Sequence, residues 1–295
     1  MEEALSRLPR ASKGAVVCPR SVGQCILTTP AIRLMKQRRP DILWAAVAEA
    51  DCRFVFEDNP GIATILSPHL PPLWSWRPRI CVDFQGSVRS LVLTELSGAE
   101  VTAGLPEAAG AWAYSTVAPD SGGAHWAECC AGLAFHLGAP RQEVPAAALA
   151  APEAAEERRS ALIYPFAAAR ERTWPAESFL DTARELQRRG FEVVFTAGRK
   201  DDLSPFSAYR LAPAAAAREW IPVLLKAAVF IGNHTDLTQI AAALQVPQVV
   251  VCPPGGCGRM APWKAPAEIL TGGDSINSVD PAQVVAAVER LGVKP

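Results

Sequence analysis

The stretch Ala15–Val47, AVVCPRSVGQCILTTPAIRLMKQRRPDILWAAV, indicates the fold class of this chain most directly. A short apolar run, Ala15–Cys18, predicts a strand, and a second run, Ile42–Val47, predicts another. Between them we expect a loop over Pro19–Thr29 and a helix that ends near Arg39–Pro40. Short apolar runs that alternate with helices are typical of parallel strands buried on both faces. The stretch therefore predicts one strand–helix–strand unit of a doubly wound α/β sheet.

The same pattern repeats along the chain and is interrupted once, at residues 144–159. That segment is rich in Ala, Glu and Pro and lacks apolar periodicity, which is typical of a linker. The further elements predicted on its two sides are strands at Ile80–Phe84, Ala161–Tyr164, Phe191–Thr196, Val229–Ile231 and Val249–Cys252, and helices at His125–Leu137, Pro175–Arg189 and Asp280–Leu291. We therefore expect two Rossmann-like domains, 1–143 and 160–295, that face a central cleft at the carboxyl ends of their strands.

Composition narrows the functional class before any motif is considered. Of the 295 residues 49% are apolar and 20% are charged, which excludes a disordered chain. The net charge of −1 argues against a dedicated nucleic-acid-binding protein. Because the sequence has no apolar run of membrane-spanning length and no signal-peptide core, we expect a cytoplasmic protein.

The cysteines and histidines predict neither a disulfide scaffold nor a metal site. Eight cysteines are sparse for a chain of 295 residues, and there are only four histidines. The sequence has no CxxC pair and no metal-ligand spacing. Cys18, Cys81 and Cys252 lie in apolar runs, where a free cysteine acts as a small hydrophobic residue. We expect buried, reduced thiols throughout.

Two arginines stand before a predicted helix in the second half of the chain. Arg170 and Arg172 precede Pro175, which we expect at the first helical position. Two guanidinium groups beside a positive helix end would bind a diphosphate. Alternatively, they pair with Glu171 or Glu177 on the surface.

Three other loops have a ligand-binding interpretation and a purely structural one. Gly23 lies in the first predicted loop, before a helix whose N-terminal N–H groups can bind an anion, or it is part of a simple turn. Asn233, Thr235 and Asp236 cluster at the start of an Ala-rich helix, and their spacing alone favours capping over ligand binding. Pro253–Gly258 forms an anion-binding nest or only a turn. Neither a dinucleotide fingerprint nor a P-loop occurs.

Six segments, taken in order, resemble glycosyltransferase family 9, the heptosyltransferases. They are SVGQCILTTPAIRLMKQRRPDI at Ser21–Ile42, NPGIATIL at Asn59–Leu66, ICVDFQGSVRSLVLTELSGA at Ile80–Ala99, RTWPAESFLDTARELQRRGFEVVFTAG at Arg172–Gly198, IGNHTDLTQIAAALQVP at Ile231–Pro247, and the turn before Pro262–Trp263. The resemblance implies a GT-B fold and inverting, metal-independent transfer of a sugar, typically heptose from ADP-heptose, to a lipopolysaccharide-core acceptor. It implies no cofactor, and the absence of a DxD sequence agrees with that.

The resemblance also implies which residues bind the two substrates. Arg172 stands where the family has a lysine. The other implied donor-binding residues are Arg170, Ala168, His234, Thr235, Gln239 and Gly198. Arg20 and Arg89 are the implied acceptor-binding residues, which would recognise acidic sugar or phosphate groups. Alternatively, each is an ordinary solvated arginine. Trp74, Trp76 and Pro71–Leu73 form an apolar loop that would touch the inner face of the cytoplasmic membrane or, alternatively, another domain or subunit.

The sequence departs from the family at the catalytic positions. Gln24 replaces the aspartate that is the family's base, and an amide can orient a hydroxyl but cannot deprotonate it. In the second half, His234 replaces an aspartate, Asp236 a glycine and Gln239 a histidine.

Two hypotheses follow from these departures. In the first, an active transferase uses a relocated base, with Asp83, Asp236 and then His234 as candidates. Asp83 has a structural alternative as a hydrogen-bond acceptor for neighbouring loop amides. In the second, the chain is a nucleotide-sugar-binding protein that has lost catalysis.

Overall fold

The computed structural model describes residues 4–152 and 159–295 and divides into two compact units, Met1–Ala150 and Ala151–Pro295. Each unit contains one six-stranded parallel sheet with helices, which confirms the predicted α/β class. Residues 153–158 of the predicted linker lie outside the described residues. Before them, the Ala148 N–H donates to the Thr29 hydroxyl at 3.0 Å. This part of the predicted linker is therefore anchored to the N-terminal unit.

The elements of the N-terminal unit follow the predicted alternation of strands and helices. Its strands are β1 (Lys13–Val17), β2 (Leu43–Val47), β3 (Thr64–Leu66), β4 (Ile80–Asp83), β5 (Val101–Gly104) and β6 (Thr116–Val117). Its helices are α1 (Ala4–Arg7), α2 (Val22–Arg38), α3 (Leu70–Trp76), α4 (Val88–Glu95) and α5 (Trp126–Leu137). The strands β3, β5 and β6 were not predicted. Each is only two to four residues long, so its apolar pattern is weak.

The C-terminal unit repeats this arrangement. Its strands are β7 (Ser160–Tyr164), β8 (Glu192–Phe195), β9 (Arg210–Leu211), β10 (Ala227–Asn233), β11 (Gln248–Cys252) and β12 (Ala267–Thr271). Its helices are α6 (Ala176–Arg188), α7 (Trp220–Leu224), α8 (Asp236–Ala243) and α9 (Pro281–Arg290). Short 3-10 helices occur in the loops of both units, including one at Arg170–Arg172.

The two sheets have the same strand topology. The first runs β3-β2-β1-β4-β5-β6 and the second, read from the opposite edge, runs β9-β8-β7-β10-β11-β12. Each order reverses direction once, between β1 and β4 in the first sheet and between β7 and β10 in the second. In doubly wound sheets the ligand-binding crevice lies outside the carboxyl ends of the strands at this switch point. The topology therefore makes the loops that follow these four strands the candidate ligand-binding loops.

Helix α2 begins earlier than the sequence suggested. The expected loop over Pro19–Thr29 is wrong, because the helix begins at Val22 with Ser21 as its N-cap. Pro30 lies inside this helix and has no N–H to donate to the carbonyl four residues earlier. The Thr29 hydroxyl donates to that carbonyl, of Ile26, at 2.7 Å. A neighbouring side chain thus satisfies the group that Pro30 leaves without a partner.

Close packing explains one glycine of the first sheet. A Cβ atom on Gly14 would lie 2.5 Å from the ring of Trp44 in the adjacent strand. Trp44 is fully buried, so its ring has no room to move away. Strand β1 therefore needs a glycine where β2 contributes its largest side chain.

Helix boundaries in the C-terminal unit agree with the sequence to within one or two residues. Asp280 caps α9 by accepting from the Ala282 N–H at 2.7 Å, and Pro281 is its first residue. Pro175 is the N-cap of α6 rather than its first residue, because its ψ of 143° is not helical. Gly190 follows the helix with φ +96°, as expected of a C′ glycine.

The prediction that every cysteine is reduced is wrong at one pair. Cys252 and Cys257 form a disulfide across the turn that follows β11. This pairing is possible because Gly255 and Gly256 adopt positive φ and turn the chain back within five residues. The other six cysteines are buried, as expected. Across residues 4–152 and 159–295, no helix has both the length and the apolar character needed to cross a bilayer.

Candidate active site

Three charged side chains meet at the switch point of the N-terminal sheet. Glu49 follows β2, Arg20 follows β1, and Arg89 lies in α4 after β4. A Glu49 carboxylate oxygen lies 3.1 Å from Nη1 of Arg89 and 3.9 Å from Nε of Arg20. We call these three residues the Glu49 cluster. Because β1 lies between β2 and β4 in the sheet, the Glu49–Arg89 contact passes over the carboxyl end of β1.

The Glu49 cluster is accessible to a ligand. The side chain of Glu49 is 34% exposed, that of Arg89 53% and that of Arg20 68%. The structure thus brings together the two implied acceptor-binding arginines, Arg20 and Arg89. Sequence reasoning missed Glu49, although its place two residues beyond a predicted strand, Ile42–Val47, was a usable signal.

Gln24 lies in the first turn of α2 and is half-buried. Its N–H donates to the Ser21 hydroxyl at 3.2 Å, and that hydroxyl lies 3.4 Å from the Gln24 amide oxygen. The side chain is therefore held by the helix cap. A neutral amide in this position can orient a hydroxyl group but cannot accept its proton.

Asp83 is fully buried at the end of β4. One carboxylate oxygen accepts from the N–H groups of Gln85 at 2.7 Å and Gly86 at 3.0 Å. The other accepts from the Tyr114 hydroxyl at 2.7 Å. Burial raises the pKa of Asp83, and the hydrogen bond from Tyr114 opposes the rise. This arrangement corresponds to the structural alternative, in which Asp83 holds the loop that leads into α4.

At the switch point of the C-terminal sheet, Asn233 joins two loops. It is fully buried at the end of β10, accepts from the Trp174 N–H at 2.9 Å and donates to the Phe166 carbonyl at 3.2 Å. The expectation that Asn233 caps a helix is thus wrong, since α8 has Thr235 as its N-cap. The amide instead fixes the loop after β7 against β10.

Arg172 and His234 meet at this switch point. His234 Nε2 lies 2.7 Å from the Met260 carbonyl, which can only accept, so this nitrogen carries the proton. His234 Nδ1 is then an acceptor, and Nη2 of Arg172 donates to it at 3.5 Å. Burial lowers the pKa of His234, and the nearby Arg172 lowers it further. A neutral imidazole therefore lies between the guanidinium and the loop after β11.

Gln239 binds the same loop as His234. Its amide nitrogen donates to the Met260 carbonyl at 2.6 Å and to that of Ala261 at 3.3 Å. Two of the substituted positions thus anchor one carbonyl, a connection that no sequence pattern indicated. The Gln239 amide oxygen and the Thr235 hydroxyl are buried without a hydrogen-bond partner in the described structure.

The remaining predicted donor residues lie apart from this contact. Arg170 lines a depression of about 530 Å³ with Pro253, Pro254 and Asp274. Ala168 is exposed in the same loop as Arg170. The Gly198 N–H donates to Asp201 at 2.8 Å. The Tyr164 hydroxyl donates to the same oxygen of Asp201 at 3.0 Å.

The charge around Arg172 is not neutralised locally. Within the described ranges neither Arg170 nor Arg172 forms an ion pair with a carboxylate. Asp236, one of the predicted catalytic carboxylates, is exposed at the first position of α8. Among the residues that the structure describes, no group of three acidic, histidine or cysteine side chains could hold a metal ion.

The predicted apolar loop around Trp74 and Trp76 is mostly helical. It forms α3, in which the Trp76 indole donates to the Gly14 carbonyl at 2.9 Å and is half-buried. Trp74 is 52% exposed, and its indole donates to the Leu96 carbonyl. Three further exposed apolar side chains lie on or just after α4, namely Val88, Val92 and Leu96. We call Trp74 and these three residues the apolar patch.

The chain is similar to known glycosyltransferases. The family model described as glycosyltransferase family 9 (heptosyltransferase) matches residues 79–280. Among solved structures, a glycosyl transferase family 9 protein from Veillonella parvula is 17% identical, with a TM-score of 0.83 over 95% of this chain and 97% of that chain. E. coli ADP-heptose lps heptosyltransferase II is 19% identical, with a TM-score of 0.80 over 95% and 98%.

E. coli heptosyltransferase WaaC with ADP is 17% identical, with a TM-score of 0.82 over 95% of this chain and 99% of that chain. These likenesses show the fold and confirm the predicted GT-B class. Among the curated proteins none matches the sequence.

Proposed function

The chain belongs to glycosyltransferase family 9 (heptosyltransferase), and on that premise we propose that it transfers a sugar from a nucleotide-diphosphate donor to a glycan acceptor. The transfer inverts the anomeric carbon in a single displacement. Such a reaction needs positive groups to stabilise the departing diphosphate and a base to take the proton of the acceptor hydroxyl. No metal or other cofactor is part of the proposal.

The observation that carries the proposal is the cationic site at the switch point between β7 and β10. Arg172 donates to a neutral His234 there, and no carboxylate pairs with the guanidinium in the described part of the chain. The N-terminus of α8 begins two residues after His234, and the unpartnered Thr235 hydroxyl lies between them. Helix N-termini and guanidinium groups both favour phosphate oxygens. We assign the diphosphate of the donor to this site.

The donor class rests on the similar proteins. E. coli heptosyltransferase WaaC is described with ADP in one structure and with ADP-2-deoxy-2-fluoro heptose in another. We therefore propose an ADP-heptose-like donor for this chain. Arg170 and the depression that it lines lie in the same unit and are available to the nucleoside part of the donor.

The acceptor is assigned to the N-terminal unit. Arg20 and Arg89 of the Glu49 cluster would bind an acidic group of a lipopolysaccharide core or a related glycan. The apolar patch on α3 and α4 supports a peripheral contact with the inner face of the cytoplasmic membrane, where a lipid-linked acceptor would be found.

A nucleotide-sugar-binding protein without catalysis is the second candidate function. The substitution that favours it is Gln24, which cannot act as a base. This alternative keeps the donor site and differs only in turnover.

Calorimetric titration with ADP, GDP and UDP tests the donor site. We expect one nucleotide to bind the wild-type protein and Arg172→Ala to weaken that binding about 10- to 100-fold, since a charge-assisted pair is lost. Arg184→Ala, which removes a surface arginine of α6 paired with Asp181, is the control. If none of the three nucleotides binds, or if Arg172→Ala binds as tightly as the wild type, the site assignment is wrong.

Transfer of labelled heptose from ADP-heptose to a heptose-free lipopolysaccharide core then separates the two candidates. Labelled product supports the transferase. Nucleotide binding without product or ADP release, over a panel of core acceptors, favours the non-catalytic protein.

A further inference from the structure

The N-terminal unit lacks the family's base at Gln24 but has another carboxylate at the same edge of the sheet. Glu49 extends over the carboxyl end of β1 to Arg89. Arg20 of the cluster lies one residue before Ser21, the N-cap of α2. Gln24 lies in the first turn of that helix. The Glu49 carboxylate is therefore at the switch point of the sheet, where ligands of doubly wound folds bind.

The alternative carboxylate at this edge is poorly suited to catalysis. Asp83 is fully buried, and the two backbone N–H groups and the Tyr114 hydroxyl already occupy its oxygens. Glu49 is 34% exposed, and its partners Arg20 and Arg89 are exposed side chains that can move away. A general base must come within hydrogen-bond distance of the proton that it accepts, and Glu49 can do so without unfolding a loop.

We propose that Glu49 is the general base of the transfer and that Arg20 and Arg89 hold it until an acidic group of the acceptor takes its place. This inference rests on the proposed glycosyltransferase function. A carboxylate between two guanidinium groups has the same arrangement that an acidic acceptor would form with these arginines.

The chemical step balances without another reactant. The acceptor hydroxyl gives its proton to the Glu49 carboxylate while its oxygen forms a bond to the anomeric carbon of the donor. The bond between that carbon and the diphosphate oxygen breaks, and the nucleotide diphosphate leaves with the electron pair. Glu49 then releases the proton to water. Gln24 orients the acceptor hydroxyl in this scheme.

Steady-state kinetics of Glu49→Gln test the assignment, with ADP-heptose as donor and a heptose-free lipopolysaccharide core as acceptor. We expect kcat to fall about 100-fold or more, since general bases contribute about 10²–10⁴-fold. The KM for the acceptor should stay the same or fall, because the internal competitor is gone. Glu49→Asp should retain part of the rate, and Asp51→Asn, a matched change of an exposed carboxylate two residues away, should retain all of it.

Chemical rescue distinguishes a base from a merely structural residue. Added formate should restore part of the turnover of Glu49→Ala and leave Arg89→Ala unchanged. Unchanged kcat in Glu49→Gln, or failure of formate to rescue Glu49→Ala, overturns the role of Glu49. If the wild-type protein itself releases no ADP from ADP-heptose, the proposed transferase function fails instead.

Anion binding tests the displacement step independently of turnover. Inorganic phosphate and acetate should each bind Glu49→Gln more tightly than the wild type, as measured by calorimetry. If Glu49→Gln binds phosphate more tightly than acetate, the acceptor carries a phosphate. If it binds acetate more tightly than phosphate, the acceptor carries a carboxylate. Equal binding to the variant and the wild type overturns the displacement.

Discussion

The two units have one strand topology but differ in the partners of the arginines at their switch points. In the N-terminal unit, the single carboxylate of Glu49 pairs with both Arg20 and Arg89. In the C-terminal unit, the partner of Arg172 is the neutral imidazole of His234, and the positive end of α8 lies beside it. The same scaffold therefore presents a carboxylate between two arginines at one switch point and, at the other, an arginine that forms no ion pair among the described residues.

This difference shows how one sheet topology serves two halves of a reaction. A departing diphosphate needs fixed positive charge, which Arg172 and the N-terminus of α8 provide. An acceptor hydroxyl needs a base, and the N-terminal unit has a carboxylate at the equivalent place. Three predictions test this difference between the units.

The largest expected effect concerns the buried carboxylate of the N-terminal unit. Asp83→Ala leaves two backbone N–H groups and the Tyr114 hydroxyl without an acceptor. We expect it to lower the free energy of unfolding by about 3 kcal/mol, measured by urea denaturation. Asp83→Asn keeps an acceptor oxygen and carries no charge, so it should unfold near the wild type and retain turnover. Loss of turnover in a stable Asp83→Asn would restore Asp83 as the catalytic candidate.

A smaller effect should distinguish the functions of the two switch points. Arg89→Ala removes one guanidinium from the Glu49 cluster and should raise the KM for an acidic acceptor about 10-fold, since a charge-assisted pair is lost. Nucleotide affinity in the same variant should stay within about twofold of the wild type. Arg172→Ala should instead weaken nucleotide binding and leave the KM for the acceptor nearly unchanged. If Arg89→Ala weakens nucleotide binding as much as Arg172→Ala does, the assignment of the acceptor to the N-terminal unit and the donor to the C-terminal unit is wrong.

The smallest effect is a pH dependence at His234. Burial holds the pKa of His234 below its usual value, so its neutral form contributes stability above the unfolded-state pKa of about 6.5. That contribution is lost as pH falls through the lower folded-state pKa. The stability advantage of the wild type over His234→Asn should therefore shrink between pH 7.5 and pH 5. Arg172 and Asp236 are the charged groups that act on the ring. A constant difference over this range contradicts the neutral tautomer.

Much of the fold could be predicted from local pattern, and much of the site could not. Asp280 and Pro281 begin α9 as expected, because capping depends on neighbours within one turn. The start of α2 could not be predicted from Pro30, since the Thr29 hydroxyl removes the usual penalty of that proline. The disulfide between Cys252 and Cys257 depended on the path of a glycine turn.

The α/β class, the two-part organisation, the family resemblance and the place of Arg172 before a helix could be inferred from the sequence alone. These features depend on residues that are close along the chain. The structure was needed to show that Glu49 meets Arg89, that Asp83 is enclosed, and that the Met260 carbonyl contacts both His234 and Gln239. Strand order brings such residues together from 20 to 40 positions apart, and no local periodicity records which side chains then face each other.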